Sequence, residues 1–257
     1  MARTERPSDG RMPLLAHLRE LRKRFVLIAV GLVVGAIAGW LLYDPLLVLL
    51  QRPLVVAEEM RGNEMTLNFA GPMAALDLKI KSSLFLAVFL TCPWWLYQVW
   101  AFITPGLNRH EKKYAYGFVG AAFPLFLGGA YMAWLVFPHA IEILSGFLPD
   151  DATAFTNAQE YLSLVMRLLI AFGLAFLSPV LLVGLNFAGI LTGKALLAGW
   201  RWAILVAFTF AAIITPTPDA MTMILVALPI CVLYFAAVGV AQLHDRSVEK
   251  RLAAAEL

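Results

Sequence analysis

Charge is what this 257-residue sequence has little of: 14% of its residues are charged, against 61% hydrophobic. A soluble globular chain usually carries about 25% charged and about 45–50% apolar residues. At this length a soluble domain cannot hide so much apolar surface, which argues against a soluble enzyme and a disordered chain. The net charge of +3 is too small to point to nucleic acid. Cysteine is scarce as well. Cys92 and Cys231 both sit inside apolar runs, offer no disulfide framework or metal-ligand spacing, and read as small core residues. Alternation with a period of two is missing, which excludes a membrane β-barrel. No HExxH, GxSxG or Walker lysine motif occurs, and His110-Glu111-Lys112-Lys113 does not continue to a second histidine. The expectation is a chain that is not an enzyme, with no catalytic residue, metal or cofactor.

Long apolar runs are present instead. Six approach the roughly 20 residues that a bilayer core about 30 Å thick requires. They are Phe25–Tyr43, Ile80–Trp100, Tyr114–Phe137, Leu162–Leu185, Trp200–Ile214 and Met221–Val240. The first follows seven basic residues, is long for a signal-peptide core and lacks a small-x-small cleavage site, so it reads as a retained span. The fifth, at fifteen residues, is short: about 22 Å of helix, closed by Thr215-Pro216-Thr217-Pro218-Asp219. The halves show no convincing repeat of the kind that inverted-repeat transporters carry.

Basic residues accumulate on cytoplasmic segments. Fifteen of the twenty fall in the N-terminal tail, the second-to-third and fourth-to-fifth connections and the C-terminal tail. The other connections hold most of the acids. The pattern predicts an all-α integral membrane protein with six transmembrane helices, both termini cytoplasmic and the last two helices short. Its parts are a tail with an amphipathic interfacial helix (1–24), a six-helix membrane domain (25–243) and a C-terminal tail (244–257).

Two cytoplasmic stretches stand out. From Pro13 to Phe25, Leu14, Leu18, Leu21 and Phe25 make an apolar stripe at helical spacing, while His17, Glu20 and Arg24 line another face. Lipid headgroups account for the cations but not for Glu20, a lone carboxylate among Arg19, Arg22, Lys23 and Arg24. From Pro93 to Lys113, Pro93 predicts a kink near the cytoplasmic end of the second helix. Trp94, Trp95, Tyr97 and Trp100 form an interfacial aromatic cluster, and Glu111 again stands among cations. A carboxylate beside apolar surface in each stretch suits a ligand that carries guanidinium groups ahead of an apolar segment.

His17-Leu-Arg-Glu20-Leu-Arg22-Lys-Arg24, the block from Tyr97 through Phe102 to Pro105 followed by His110-Glu111, and Pro216-Thr-Pro218-Asp219 together resemble the TatC family. TatC is the multi-pass subunit of the twin-arginine protein translocase, and the resemblance runs from about Pro13 to Leu243. It implies a receptor for twin-arginine signal peptides in the plasma (inner) membrane of a prokaryote. Such a receptor self-associates, works with TatA/TatB-type single-span subunits in contact with membrane lipid, and exports folded proteins with the proton-motive force. It also implies that Glu20 and Glu111 contact the signal-peptide arginines, with Arg22, His17 and Phe102 on the same surface. Pro53 then matches an external-loop proline, and Asp219 the acid that closes the last hairpin. One feature departs from the family: its fourth-helix glutamate is replaced in Phe176-Leu177-Ser178-Pro179. Arg167, inside the fourth run, requires a partner or an outward reach; Asp219 and Asp77 are the carboxylates at similar height, and Asp219 is the better candidate because the short fifth helix draws its hairpin inward. The residues alone leave a secondary transporter or channel for a small solute as the alternative, although Arg167, Ser178 and Asn186 are the few polar groups of the fourth run.

Overall fold

The amphipathic stretch and the first apolar run form one uninterrupted helix, α1 (Leu14–Leu41), with no break near residue 24. The computed structural model describes residues 14–61, 65–69, 71–103, 112–145, 154–187, 189–215 and 220–255. In chain order α1 is followed by α2 (Tyr43–Arg61), β1 (Met65–Asn68), α3 (Pro72–Leu90), α4 (Cys92–Ile103) and α5 (Lys112–Ser145). Then come β2 (Ala154–Asn157), α6 (Ala158–Phe176), α7 (Ser178–Phe187), α8 (Gly193–Ala198), α9 (Trp200–Ile214) and α10 (Ala220–Ala255). The architecture is nearly all helical, as the composition predicts.

Among the described residues, four helices are long and apolar enough to cross a bilayer, spanning His17–Leu41, Gly117–His139, Ala158–Phe187 and Val226–Lys250, and α9 is a shorter apolar helix. The second apolar run is divided at Thr91 into α3 and α4. Pro93 supplies no N–H and sits where none is needed, in the first turn of α4. The break stays hydrogen-bonded: Thr91 donates to the Ala87 carbonyl, and its own carbonyl accepts from the Trp94 and Trp95 amides. The fourth run divides likewise at Leu177, two residues before Pro179, with the Ser178 hydroxyl donating to the Ala175 carbonyl at 2.7 Å.

The acid-bearing connection after the first span, read as a loop, folds as the nineteen-residue α2, which contains position 53. Beyond it, β1 pairs in parallel with β2 from Met65 opposite Ala154 to Asn68 opposite Asn157. A pair of four-residue strands is too short to show an alternating pattern, which is why the sequence did not announce it. Asn157 then caps α6 by accepting from the Gln159 amide, and the Gln159 side chain donates to Asp77 near the start of α3.

The chain packs as two compact units, one of Met1–Tyr43 with Lys79–Phe123 and the other of Asp44–Leu78 with Pro124–Leu257. In the first, α1 leaves Val26, Val30, Val33, Val34 and Ile37 more than half or half exposed, a face suited to lipid. Its other face carries Gly31, Gly35 and Gly39 at four-residue intervals. A Cβ at Gly31 would lie 2.6 Å from Trp94 Cδ1, one at Gly35 2.7 Å from Thr91 Cγ2, and one at Gly39 2.6 Å from the Ser83 carbonyl oxygen. This is the small-xxx-small arrangement that lets membrane helices pack backbone to backbone. In the second unit α5 and α6 meet the same way, Gly129 against the Phe172 carbonyl and Gly173 against the Phe126 ring. Gly35→Ala should therefore cost about 1–3 kcal/mol through overpacking. Thermal unfolding in detergent should show a lower midpoint for Gly35→Ala and no loss for Gly120→Ala, whose Cβ would meet open space.

Candidate functional site

The polar end of α1 packs on α4 within the first unit, and there the described parts of the two stretches singled out by sequence converge. Glu20 and Arg24 are one helical turn apart, and the Arg24 Nε donates to Glu20 Oε1 at 2.7 Å. Their side chains are about a quarter exposed, 27% and 22%. The remaining reach of Arg24 goes to α4, where Nη1 donates to Gln98 Oε1 at 2.8 Å. Gln98 is 2% exposed. A partly exposed i,i+4 ion pair stabilises a helix by only about 0.3–0.5 kcal/mol, whereas a hydrogen bond from a charged group is worth about 1.5–3 kcal/mol. The Arg24–Gln98 contact is thus the stronger tie, and through it Gln98 sets where Arg24, and hence Glu20, stands.

A second tie lies one turn earlier. The His17 ring stacks on Phe102, with centroids 4.6 Å apart and planes at 26°. Toward the membrane, the Trp94 indole donates to the Leu27 carbonyl of α1 at 3.1 Å, and the Trp95 indole reaches across the helix break to the Val88 carbonyl. Trp100 stacks on Phe118 of α5 at 4.0 Å. The tryptophans expected to lie at the interface therefore also hold α4 to its neighbours. Arg22 and Lys23 face outward and exposed, while Leu18, Leu21 and Phe25 present the apolar stripe. The result is a partly buried carboxylate whose Oε1 is engaged by Arg24, with no second ion pair within 4.0 Å among the described residues, set beside aromatic and aliphatic surface.

The family model described as Sec-independent protein translocase protein (TatC) matches residues 16–229 of this sequence, including this whole α1–α4 surface. The chain belongs to the TatC family. It is 62% identical over 252 residues to the Sec-independent protein translocase protein TatC of Xylanimonas cellulosilytica, covering 97% of this chain and 91% of that one. It is 31% identical to TatCy of Bacillus subtilis, covering 95% and 94%. A crystal structure of a twin arginine translocase receptor, TatC, in DDM superposes with a TM-score of 0.76 at 32% identity, covering 88% of this chain and 99% of that one. The chain is thus a multi-pass membrane component of a protein translocase, which removes the small-solute transporter from consideration.

Of the site residues taken from the TatC resemblance, the structure brings together Glu20, His17 and Phe102, and leaves Arg22 at the exposed margin. Glu111, Pro216, Pro218 and Asp219 lie outside the described residues. Position 53 falls within α2 rather than in a loop. Leu177, standing where TatC relatives were expected to carry glutamate, is buried at the α6–α7 break. Asp77 is not the partner of Arg167. Asp77 accepts from Gln159, while Arg167 is exposed and its Nε donates to the Ser163 carbonyl of its own helix at 3.2 Å.

Gln98 is the residue that sequence reasoning passed over. It stands inside the Tyr97-Gln98-Val99-Trp100 block, and an amide amid three apolar or aromatic neighbours was the available signal. Gly31, Gly35 and Gly39 were legible in the same way from their four-residue spacing. Gln98→Leu should leave the guanidinium without its buried acceptor and cost about 1–3 kcal/mol. A double-mutant cycle with Arg24→Leu, read by chemical or thermal unfolding, should show the pair costing less than the sum of the singles.

Proposed function

We propose that this chain is the receptor subunit of a twin-arginine translocase in a prokaryotic inner membrane. In this reading it crosses the membrane six times with both termini in the cytoplasm. It binds twin-arginine signal peptides on its cytoplasmic face and assembles with TatA/TatB-type single-span subunits to export folded proteins with the proton-motive force. Glu20 and Glu111 are the carboxylates that receive the two arginines, with His17, Phe102 and Arg22 around them. The observation that supports this best is the state of Glu20. It is held by Arg24, which Gln98 anchors, so it meets a ligand already oriented and with little rotamer freedom left to lose.

The chemistry favours arginine over lysine. A guanidinium is planar and offers several donors, so it can bond a carboxylate oxygen and stack on Phe102 or His17, whereas a lysine is a compact point charge. The apolar segment that follows the arginines in such a peptide would then lie on the exposed Leu18, Leu21 and Phe25 stripe. Glu20→Gln keeps the shape and removes the charge. Glu20→Gln and Glu111→Gln should each weaken binding by about 1–3 kcal/mol. Crosslinking to a twin-arginine precursor, against a lysine–lysine version, measures this. Unchanged crosslinking in the double Gln variant would overturn the assignment.

The partner-binding edge in this reading is α9. At fifteen residues it is shorter than an unperturbed bilayer core, and Trp202, Leu205, Val206 and Ile213 are more than half exposed along it. Single cysteines across Trp200–Ile214 should crosslink to single-span subunits on one helical face, with buried Ala207 and Ala211 silent. Crosslinks spread evenly around the helix, or none in an intact complex, would count against this edge.

A further inference from the structure

Two helices of the second unit meet with no slack between them. Gly199 both ends α8 and starts α9. Its amide donates to the Ala195 and Leu196 carbonyls, and its own carbonyl accepts from the Ala203 amide. A helix of six residues does not hold itself, because so few turns barely offset the cost of nucleation. Whatever fixes α8 therefore also fixes where α9 begins and how its first turn is directed.

What fixes α8 is mostly polar. Asp245 of α10 accepts from the Asn186 side chain through Oδ1 at 2.8 Å and from the Gly193 amide through Oδ2 at 2.6 Å. One carboxylate thus joins the end of α7 and the start of α8 to α10. Asn186 is 4% exposed, and its Nδ2 also donates to the Leu191 carbonyl, so both of its amide protons are placed. Thr192 caps α8 by accepting from the Ala195 amide. At the other end, the Tyr234 hydroxyl of α10 donates to the Leu196 carbonyl. A Cβ at Gly193 would lie 2.8 Å from the Gln242 backbone nitrogen, so α8 starts in backbone contact with α10. Leu196 adds the apolar part of the joint, packed with Val238 and Ala241.

Beyond that joint α9 has little of its own to fix it. Of its fifteen residues, Ala207 and Ala211 are the buried ones. A groove of about 410 Å³ opens beside it, with Trp202, Val206 and Phe210 of α9 on one wall and Ala175 and Leu182 of α6 and α7 on another. Apolar contacts between helices in lipid carry little preference for one arrangement, because lipid tails are equally apolar. Two alanines can slide or turn against α10 at small cost. Hydrogen bonds, bound to fixed lengths and angles, cannot.

We propose that Asp245 is a positioning residue for partner assembly: through Asn186 and Gly193 it sets the register and rotation of α9 on α10, and so decides which residues α9 presents to a single-span subunit. This rests on the reading of α9 as the partner-binding edge. It adds to that reading a carboxylate on α10 that need not touch the partner at all.

The test uses the full chain assembled with its single-span subunits, with Cys92 and Cys231 replaced by alanine. Spin labels at the exposed positions Leu205 of α9 and Val232 of α10 report the distance between the helices. Single cysteines across Trp200–Ile214 report the face that crosslinks to the partner. Asp245→Ala removes both acceptors, and should shift or broaden the distance and rotate or spread the crosslinked face. Asn186→Asp combined with Asp245→Asn exchanges amide and carboxylate, keeps an acceptor for the Gly193 amide, and should restore both readings. Glu249→Ala, which removes an exposed carboxylate one turn further along α10, should change neither. A distance that Asp245→Ala leaves unchanged, or that the exchanged pair does not restore, overturns the positioning role. Where Asp245→Ala does not fold, the exchanged pair decides in the same way. A shifted distance with an unchanged crosslinked face overturns the link to the partner. A parent chain with no crosslinked face sinks the partner edge itself, and the distance still decides whether Asp245 positions α9.

Discussion

The distance between α1 and the α3–α4 pair governs the first unit. In a bilayer, helices gain little from hiding apolar side chains from one another, because lipid tails are equally apolar. Association then depends on contact and on hydrogen bonds, and both need short separations. Gly31, Gly35 and Gly39 supply the separation, and with it the Trp94 indole can reach a backbone carbonyl on α1. Further along the same helix pair, Arg24 can reach a glutamine buried on α4. A wider spacing would leave Gln98 without its partner and Glu20 with an arginine free to swing away.

The same economy governs the breaks. Proline near the end of a membrane helix leaves a carbonyl unpaired, and hydrocarbon provides no substitute donor. At Thr91 and at Ser178 a hydroxyl donates back into the previous turn, and the interrupted helices remain hydrogen-bonded across the bend. Bending α3 into α4 sets the direction of the segment that carries Gln98 and Phe102, so the kink and the α1–α4 surface are linked by geometry. In the second unit a carboxylate performs the corresponding task, with Asp245 of α10 holding the end of α7 and the start of α8.

Arg167 shows how a charge inside an apolar run is accommodated with no counter-ion among the described residues. Side chains on a helix lean toward its N-terminus, and the arginine Nε follows that lean to the carbonyl one turn earlier while the rest stays exposed. Of the two carboxylates weighed as its partner, Asp219, the better placed by sequence, lies outside the described residues, and Asp77 is used to join α3 to α6 through Gln159. Spacing along the chain put Asp77 at a suitable height but carried no information on its azimuth. Azimuth decides contact.

Sequence alone determined the features that follow from composition and period. A low charge count and 15-to-24-residue apolar runs required membrane helices, and the bounds of the fifth run, Trp200–Ile214, coincide with α9 because a glycine precedes it and a Thr-Pro sequence follows. The α1 face that carries His17, Glu20 and Arg24 was legible because helical spacing is a local property. Tertiary structure decided what spacing cannot encode. It made a helix of the connection after the first span, paired two four-residue strands whose partners lie 89 positions apart (Met65 opposite Ala154), and chose Gln98 as the anchor of Arg24 and Asp245 as the clamp for α8. Each of these is a contact between distant segments, formed only when packing brings them within hydrogen-bonding reach, and no one-dimensional period records that distance.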